Sequence, residues 1–379
     1  MQMRMGVMDL MVKPSPACRE AILDIKPYVP GKPIEEVQRE LGIKDVIKLA
    51  SNENPLGPSP DAVMAIREAA EKIYLYPDGN CYYLKQALAA KLDVGEDQLI
   101  VGNGTDEILK LLGEAFVDPG DEVVVADPTF SEYEFAAQVM GGRVMKVPCR
   151  DFRLDLEAMA GAVSPRTRLI FVCNPNNPTG TIVSRDELDS FLDRVPPRIL
   201  VVLDEAYYEY VTSPEYPDSL AYVRGGRPNV IVLRTFSKIY GLAGLRVGYG
   251  IAHPEIINSL NRVREPFNVN SLAQIAARAA LDDEAHVGKS KEVNNEGKEF
   301  LYEQFRALGL KYVPTESNFI FVDIGRDSRE VFKKMLAKGV IVRTGDIFGF
   351  TTFLRITIGT RRQNQRFIDV LREVLSEVP

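Results

Sequence analysis

The run "RTFSKIYGLAGLRVGYG", Arg234 to Gly250, sets Lys238 among Gly, Ala and Ser, with Arg246 eight positions on. A lysine withdrawn from water has its pKa lowered, which frees the amine for Schiff-base chemistry. Thr235 and Ser237 offer hydroxyls, and Arg246 offers a fork suited to phosphate. A structural ion pair would account for the same lysine. Asp204 ends the apolar run "ILVVL", where a carboxylate is costly without a cationic partner; a helix cap is the plainer account. Tyr207 lies three residues later. In "NPNNPTG" (174–180), Asn177 could present its amide to a ligand, although a rigid turn explains much of the pattern. "GNGTDE" (102–107) opens a helix: Gly102 and Gly104 allow a tight turn, and the amides of Gly104, Thr105 and Asp106 could meet an anion. A simple strand–turn–helix fits equally well. The stretch matches neither GxGxxG nor GxxxxGK[ST], so dinucleotide and P-loop readings lose support.

These groups amount to a phosphate cradle, a lone carboxylate, an amide, a phenol and an activated lysine. Pyridoxal 5'-phosphate uses all of them: an amine for its aldehyde, amides and an arginine for its phosphate, and an acid that keeps its ring nitrogen protonated.

The elements that must position these groups are short apolar runs bounded by turn residues, at 99–102, 122–128, 168–175, 198–206, 229–237 and 246–252. Most are rich in Val, Ile and Leu without alternation, the pattern of strands buried on both faces. Helical patterns lie between them: 106–116 carries an apolar stripe, and 184–195 opens with Ser184 and Glu187, a capping-box pair. Strands alternating with helices predict an α/β sheet, whose ligands bind beyond the carboxyl ends of the strands. After about residue 280 a charged helical stretch (284–308), "SNFIFVDI", "SREVFKKMLAKGV", "FLRITIGT" and a final helix predict a smaller α+β domain. The expected organisation is an N-terminal arm, 1–50, packing with the small domain; a large cofactor-binding domain, 51–280; and a small C-terminal domain, 281–379.

Composition narrows the classes further. The chain has 379 residues, 45% hydrophobic and 26% charged, with a net charge of -7. An acidic chain argues against nucleic acid as a partner. Four scattered cysteines suggest neither a disulfide framework nor a metal site, and only two histidines, His253 and His286, are present. The Met-rich start is too short for a membrane span. No membrane partner and a reducing, cytoplasmic location are expected.

The motifs together resemble the fold-type I, pyridoxal-phosphate-dependent aminotransferases. They arrive in family order: "SNENPLGPSP", "YPDG", "GNGTDE", "DPTFSEY", "NPNNPTG", "DEAYYEY", "TFSKIYGLAGLRVGY", "SNFIFV", "VIVRTGDIFGF" and "LRITIGT". The resemblance implies a large domain with a mostly parallel seven-stranded sheet between helices, plus the smaller α+β domain. It implies that Lys238 holds the cofactor covalently and shuttles a proton, that Asp204 pairs with the ring nitrogen, and that Asn177 and Tyr207 bond the ring's phenolic oxygen. Phe130 would stack on the ring; many relatives have Tyr there. Gly104, Thr105, Asp106, Thr235, Ser237 and Arg246 would surround the phosphate, and Tyr76 of "YPDG" would reach it from the second subunit of a homodimer. Arg355 would grip a carboxylate, with Arg343 as a second arginine and Tyr28 closing over the substrate. The branch it resembles most serves histidine biosynthesis, exchanging an amino group between L-glutamate and imidazole acetol phosphate to give 2-oxoglutarate and L-histidinol phosphate. Alternatives on the same fold are an aromatic amino acid aminotransferase and a threonine-phosphate decarboxylase. A cofactor-sensing transcription regulator is disfavoured, because the arm before residue 50 has no helix-turn-helix pattern.

Overall fold

The computed structural model describes residues 18–25, 27 and 31–378. Its strands are β1 (Ile47–Leu49), β2 (Leu99–Gly102), β3 (Glu122–Asp127), β4 (Arg143–Pro148), β5 (Thr167–Cys173), β6 (Leu200–Asp204), β7 (Val230–Thr235), β8 (Gly248–Ala252), β9 (Lys311–Val313), β10 (Phe319–Asp323), β11 (Val340–Thr344) and β12 (Phe353–Thr357). All six apolar runs supply strands of one seven-stranded sheet, in the order β2-β8-β7-β6-β5-β3-β4. Strands β3 to β7 are mutually parallel. β8 runs antiparallel to both β7 and β2.

The absent alternation has a direct cause. Val123, Val125, Leu169, Phe171, Val202, Ile231 and Leu233 enter a core on one face of the sheet. Their chain neighbours Val124, Ala126, Ile170, Val172, Val201, Val230 and Val232 enter a core on the other. Side chains do alternate with period two, but both destinations are apolar. β4 was not among the apolar runs. It pairs only with β3 at the sheet's edge, and Arg143, Met145 and Lys146 are exposed there; charge on an edge strand discourages pairing with other chains.

The helix Thr105–Phe116 buries Ile108, Leu111 and Leu112 as its stripe predicts. The helix Arg185–Arg194 carries the expected capping box: Ser184 Oγ accepts from the Glu187 amide, and the Glu187 carboxylate accepts from the Ser184 amide. A second sheet, ordered β1-β11-β12-β10-β9, is antiparallel except where β1 joins β11 in parallel. Its core includes Phe305 of the helix Glu284–Ala307, Met335 of Ser328–Ala337 and Phe367 of Arg361–Glu377. Val37 and Ala50 pack with Ile341 of this sheet, whereas Arg19 donates to the Val139 carbonyl beside the first sheet, at 2.8 Å. Among the described residues no helix is long and apolar enough to cross a membrane.

Candidate active site

Because β2 and β7 both run opposite to β8, the carboxyl ends of β2, β3, β5, β6 and β7 share one edge of the first sheet. A cavity of about 250 Å³ lies there. Each strand end contributes: Thr105 and Asp106 after β2, Phe130 after β3, Asn177 after β5, Asp204 and Tyr207 from β6, and Thr235, Ser237 and Lys238 from β7. Arg246 enters just ahead of β8. Arg343 of β11 and Arg355 of β12 line the same cavity from the second sheet.

Lys238 Nζ lies 3.4 Å from the Ser51 carbonyl. Burial, seconded by the Arg355 charge, lowers its pKa to about 8. A useful fraction of the amine is therefore neutral near physiological pH, as attack on a carbonyl requires.

Asp204 is 3% exposed. Its Oδ2 accepts from the Tyr133 hydroxyl at 2.7 Å and its Oδ1 from the Ala206 amide at 3.1 Å. Burial raises its pKa to about 6, and those two hydrogen bonds restrain the rise. Among the described residues Asp204 forms no ion pair, so the strand end presents a carboxylate served only by neutral donors. Tyr133 was not singled out by sequence, although it closes "DPTFSEY". Its ring stacks on Phe171 at 4.6 Å and meets Phe130 edge-on at 5.6 Å.

The anion cradle depends on backbone shape. Gly104 has φ +80°, and a Cβ there would fall 2.5 Å from Arg246 Nη2. Arg246 itself adopts φ +56°, a left-handed conformation that a non-glycine residue holds when its surroundings impose it. Its guanidinium reaches Ser237 Oγ at 3.3 Å and Asp106 Oδ2 at 2.9 Å. The Asp106 carboxylate is thus directed at Arg246, which leaves the backbone amides at the start of the helix Thr105–Phe116 to meet an anion.

Of the asparagines in "NPNNPTG", two have structural tasks. Asn174 Oδ1 accepts from the Val183 amide, and Asn176 ties Pro128 and Thr129 to the turn. Asn177 faces the cavity, and its Oδ1 accepts from Arg355 Nη1 at 2.6 Å. Arg355 Nη2 donates to the Ala50 carbonyl at 2.7 Å. Asn52, another residue that sequence reasoning passed over, donates from Nδ2 to the Tyr207 hydroxyl at 3.0 Å. Burial, more than offsetting the Arg355 charge and this bond, holds the Tyr207 phenol neutral well above the usual tyrosine range.

Two expected residues stand apart. Tyr76 is 84% exposed, away from the cavity, and stacks on Phe267 at 4.9 Å. Tyr28 lies outside the described residues.

The donor set suits pyridoxal 5'-phosphate. A buried carboxylate without a cation can hold a ring nitrogen in its protonated form, and the helix terminus, Ser237 and Arg246 suit a phosphate. The likeness to known proteins agrees. The chain belongs to the class I and II aminotransferases, whose family model matches residues 44–371. More narrowly, it is 77% identical over 361 residues to the histidinol-phosphate aminotransferase of Moorella thermoacetica, covering 95% of this chain and 94% of that one. The histidinol-phosphate aminotransferase of Caldicellulosiruptor saccharolyticus is 54% identical, over 94% of this chain and 99% of its own length. Among solved structures, histidinol-phosphate aminotransferase from Sinorhizobium meliloti in complex with pyridoxal-5'-phosphate superposes with a TM-score of 0.88 at 29% identity, covering 94% of this chain and 97% of that one.

Proposed function

We propose that the chain transfers an amino group from L-glutamate to imidazole acetol phosphate, giving 2-oxoglutarate and L-histidinol phosphate, as a pyridoxal-phosphate-dependent step of histidine biosynthesis. The observation that carries this reading is the pairing of Arg343 opposite Arg355 across β11 and β12, at the cavity that also holds Lys238. Two guanidinium groups side by side suit a dicarboxylate and a phosphate monoester in turn.

When bound, pyridoxal phosphate supplies an aldehyde carbon for the amino group and a ring that withdraws electrons from the adjacent carbon. The chain supplies the rest. Lys238 Nζ would take the proton from the amino-bearing carbon of the substrate and deliver it to the former aldehyde carbon of the cofactor, so that the amino group changes carrier. Asp204 holds the ring nitrogen protonated, with Tyr133 fixing the carboxylate. Tyr207 and Asn177 hydrogen-bond the phenolic oxygen, while Phe130 covers the ring. Gly104, Thr105, Thr235, Ser237, Arg246 and the backbone of Asp106 hold the phosphate. Arg355 binds the α-carboxylate of glutamate and, with Arg343, the phosphate of the other substrate. Tyr28 closes over it.

We further propose a cytoplasmic homodimer built from the arm 1–50, the large domain 51–280 and the small domain 281–379. Ile73, Tyr74, Leu75, Tyr76, Tyr82 and Tyr83 are all at least half exposed, and large apolar side chains left exposed near one another in sequence suit a surface that another protein covers. A second copy covering it would bring Tyr76 to the neighbouring phosphate. The free thiols of Cys18, Cys81, Cys149 and Cys173 fit a reducing compartment.

The test is a half-reaction. Protein loaded with pyridoxal phosphate is mixed with L-histidinol phosphate, without a keto acid, and the absorption of the bound cofactor is followed. Rapid conversion with L-histidinol phosphate and L-glutamate is expected. Conversion chiefly with L-phenylalanine and L-tyrosine would replace the reading with an aromatic aminotransferase.

A further inference from the structure

Three consecutive residues leaving β1 each touch a different group of the site. The Ala50 carbonyl accepts from Arg355, the Ser51 carbonyl from Lys238, and Asn52 Nδ2 donates to Tyr207. Asn52 is built for this place. It is 1% exposed and has φ +57°, a conformation costly for most side chains but tolerated by asparagine. Its backbone amide donates to Thr357 Oγ1 at 2.9 Å, and its carbonyl accepts from Asn318 Nδ2 at 2.9 Å.

The Thr357 hydroxyl bonds Asn52 twice, once at its backbone and once at its side chain. That hydroxyl already accepts the Asn52 amide proton. Its own single proton goes to Asn52 Oδ1, at 3.2 Å. With the side-chain oxygen on the Thr357 side, the NH₂ faces Tyr207, 3.0 Å from its hydroxyl. Tyr207 is an acceptor in that bond, so its hydroxyl proton points elsewhere. A phenol that accepts one hydrogen bond also becomes a better donor in the next.

We infer that Asn52 is a positioning residue: by donating to the Tyr207 hydroxyl it aims that hydroxyl's proton into the cavity, at the phenolic oxygen of the cofactor. The inference rests on the role proposed above for Tyr207. Thr357 lies two residues from Arg355 on β12, so the same contact ties the orientation of the phenol to the strand that reads substrate anions.

The experiment uses the holoenzyme and reads the pH midpoint of the bound cofactor's visible absorption. A donor on the phenolic oxygen stabilises it as an anion, and losing that donor lets the cofactor keep its proton to higher pH. Tyr207→Phe is expected to raise the midpoint. Asn52→Gly, which suits φ +57°, is expected to raise it in the same direction by roughly half a pH unit to one unit, a few-fold to tenfold change in the equilibrium. In the Tyr207→Phe background Asn52→Gly is expected to leave the midpoint where Tyr207→Phe put it, a non-additivity that a general loosening of the fold would not produce. Should Asn52→Gly fail to fold, Asn52→Asp serves through the difference between its shifts in the two backgrounds.

A shift with Tyr207→Phe but none with Asn52→Gly overturns the inference and leaves the Tyr207 role standing. Equal shifts from Asn52→Gly in both backgrounds also overturn it. No shift with Tyr207→Phe overturns the Tyr207 role and the inference together.

Discussion

Glu209 makes the protein less stable as the pH rises, and Glu209→Gln should remove that loss. The residue sits in the turn Tyr208–Tyr210 and is 6% exposed. Among the described residues its Oε1 has no hydrogen-bond partner. Burial raises its pKa from 4.5 to about 8, a rise that Arg234 and Lys291 moderate and Glu205 reinforces. In the unfolded chain the carboxyl ionises near its ordinary value. Between about pH 4.5 and 8 the native state holds a proton that the unfolded state has lost, so stability falls throughout that window. At about 1.4 kcal/mol per unit, the full shift corresponds to a loss on the order of 3–5 kcal/mol above the upper limit. Glutamine has the same shape and no ionisation. Wild type and Glu209→Gln should therefore unfold alike at the acid end, with the variant gaining steadily as the pH rises. Urea unfolding of the holoenzyme across that range measures it. A stability difference that is constant with pH, or one that favours wild type at the alkaline end, would refute the reasoning.

Two other changes bear on the site itself. Lys238→Ala should retain pyridoxal phosphate through the phosphate cradle yet lose transamination by roughly a thousandfold or more; steady turnover near the wild-type rate would remove the lysine from the reaction. Gly104→Ala combines a strained φ of +80° with a methyl group 2.5 Å from Arg246 Nη2. Displacing one charge-assisted contact should weaken cofactor binding by roughly tenfold, measured as the dissociation constant for pyridoxal phosphate, with the melting temperature of the apoprotein changed much less.

The sequence was most legible where chemistry sits at strand ends. Asn177, Asp204 and Lys238 each stand at or just after the end of an apolar run, so one rule about parallel sheets collected them from places 27 and then 34 positions apart in the chain. The Ser184–Glu187 box was equally legible, since both partners lie within one helical turn. What escaped depends on long-range meetings. Tyr133 reaches Asp204 across 71 positions and Asn52 reaches Tyr207 across 155. No local spacing encodes either contact. β4 escaped because an edge strand needs no apolar run. The buried Arg234–Glu205 pair, at 2.8 Å, flanks both Asp204 and the lysine loop, and nothing in "LDEAYYEY" or "LRTFSK" says that these two residues meet.

The arrangement of charge explains why the site needs two sheets. Like charges directly opposed on antiparallel strands repel, and Arg343 and Arg355 are so opposed. Arg355 is buried, held by Asn177 and Ala50, and its charge also helps lower the pKa of Lys238. An anion between the two guanidinium groups relieves both effects: it screens their repulsion and lets the lysine hold its proton more readily. With the roles proposed above, the strand pair that would read the substrate also acts on the amine that would perform the chemistry. Had both arginines belonged to the first sheet, their strands would have displaced those that end at Asp204 and Lys238. Bringing them from β11 and β12 leaves the carboxyl edge of the first sheet open to the proposed cofactor and would give substrate recognition to the second.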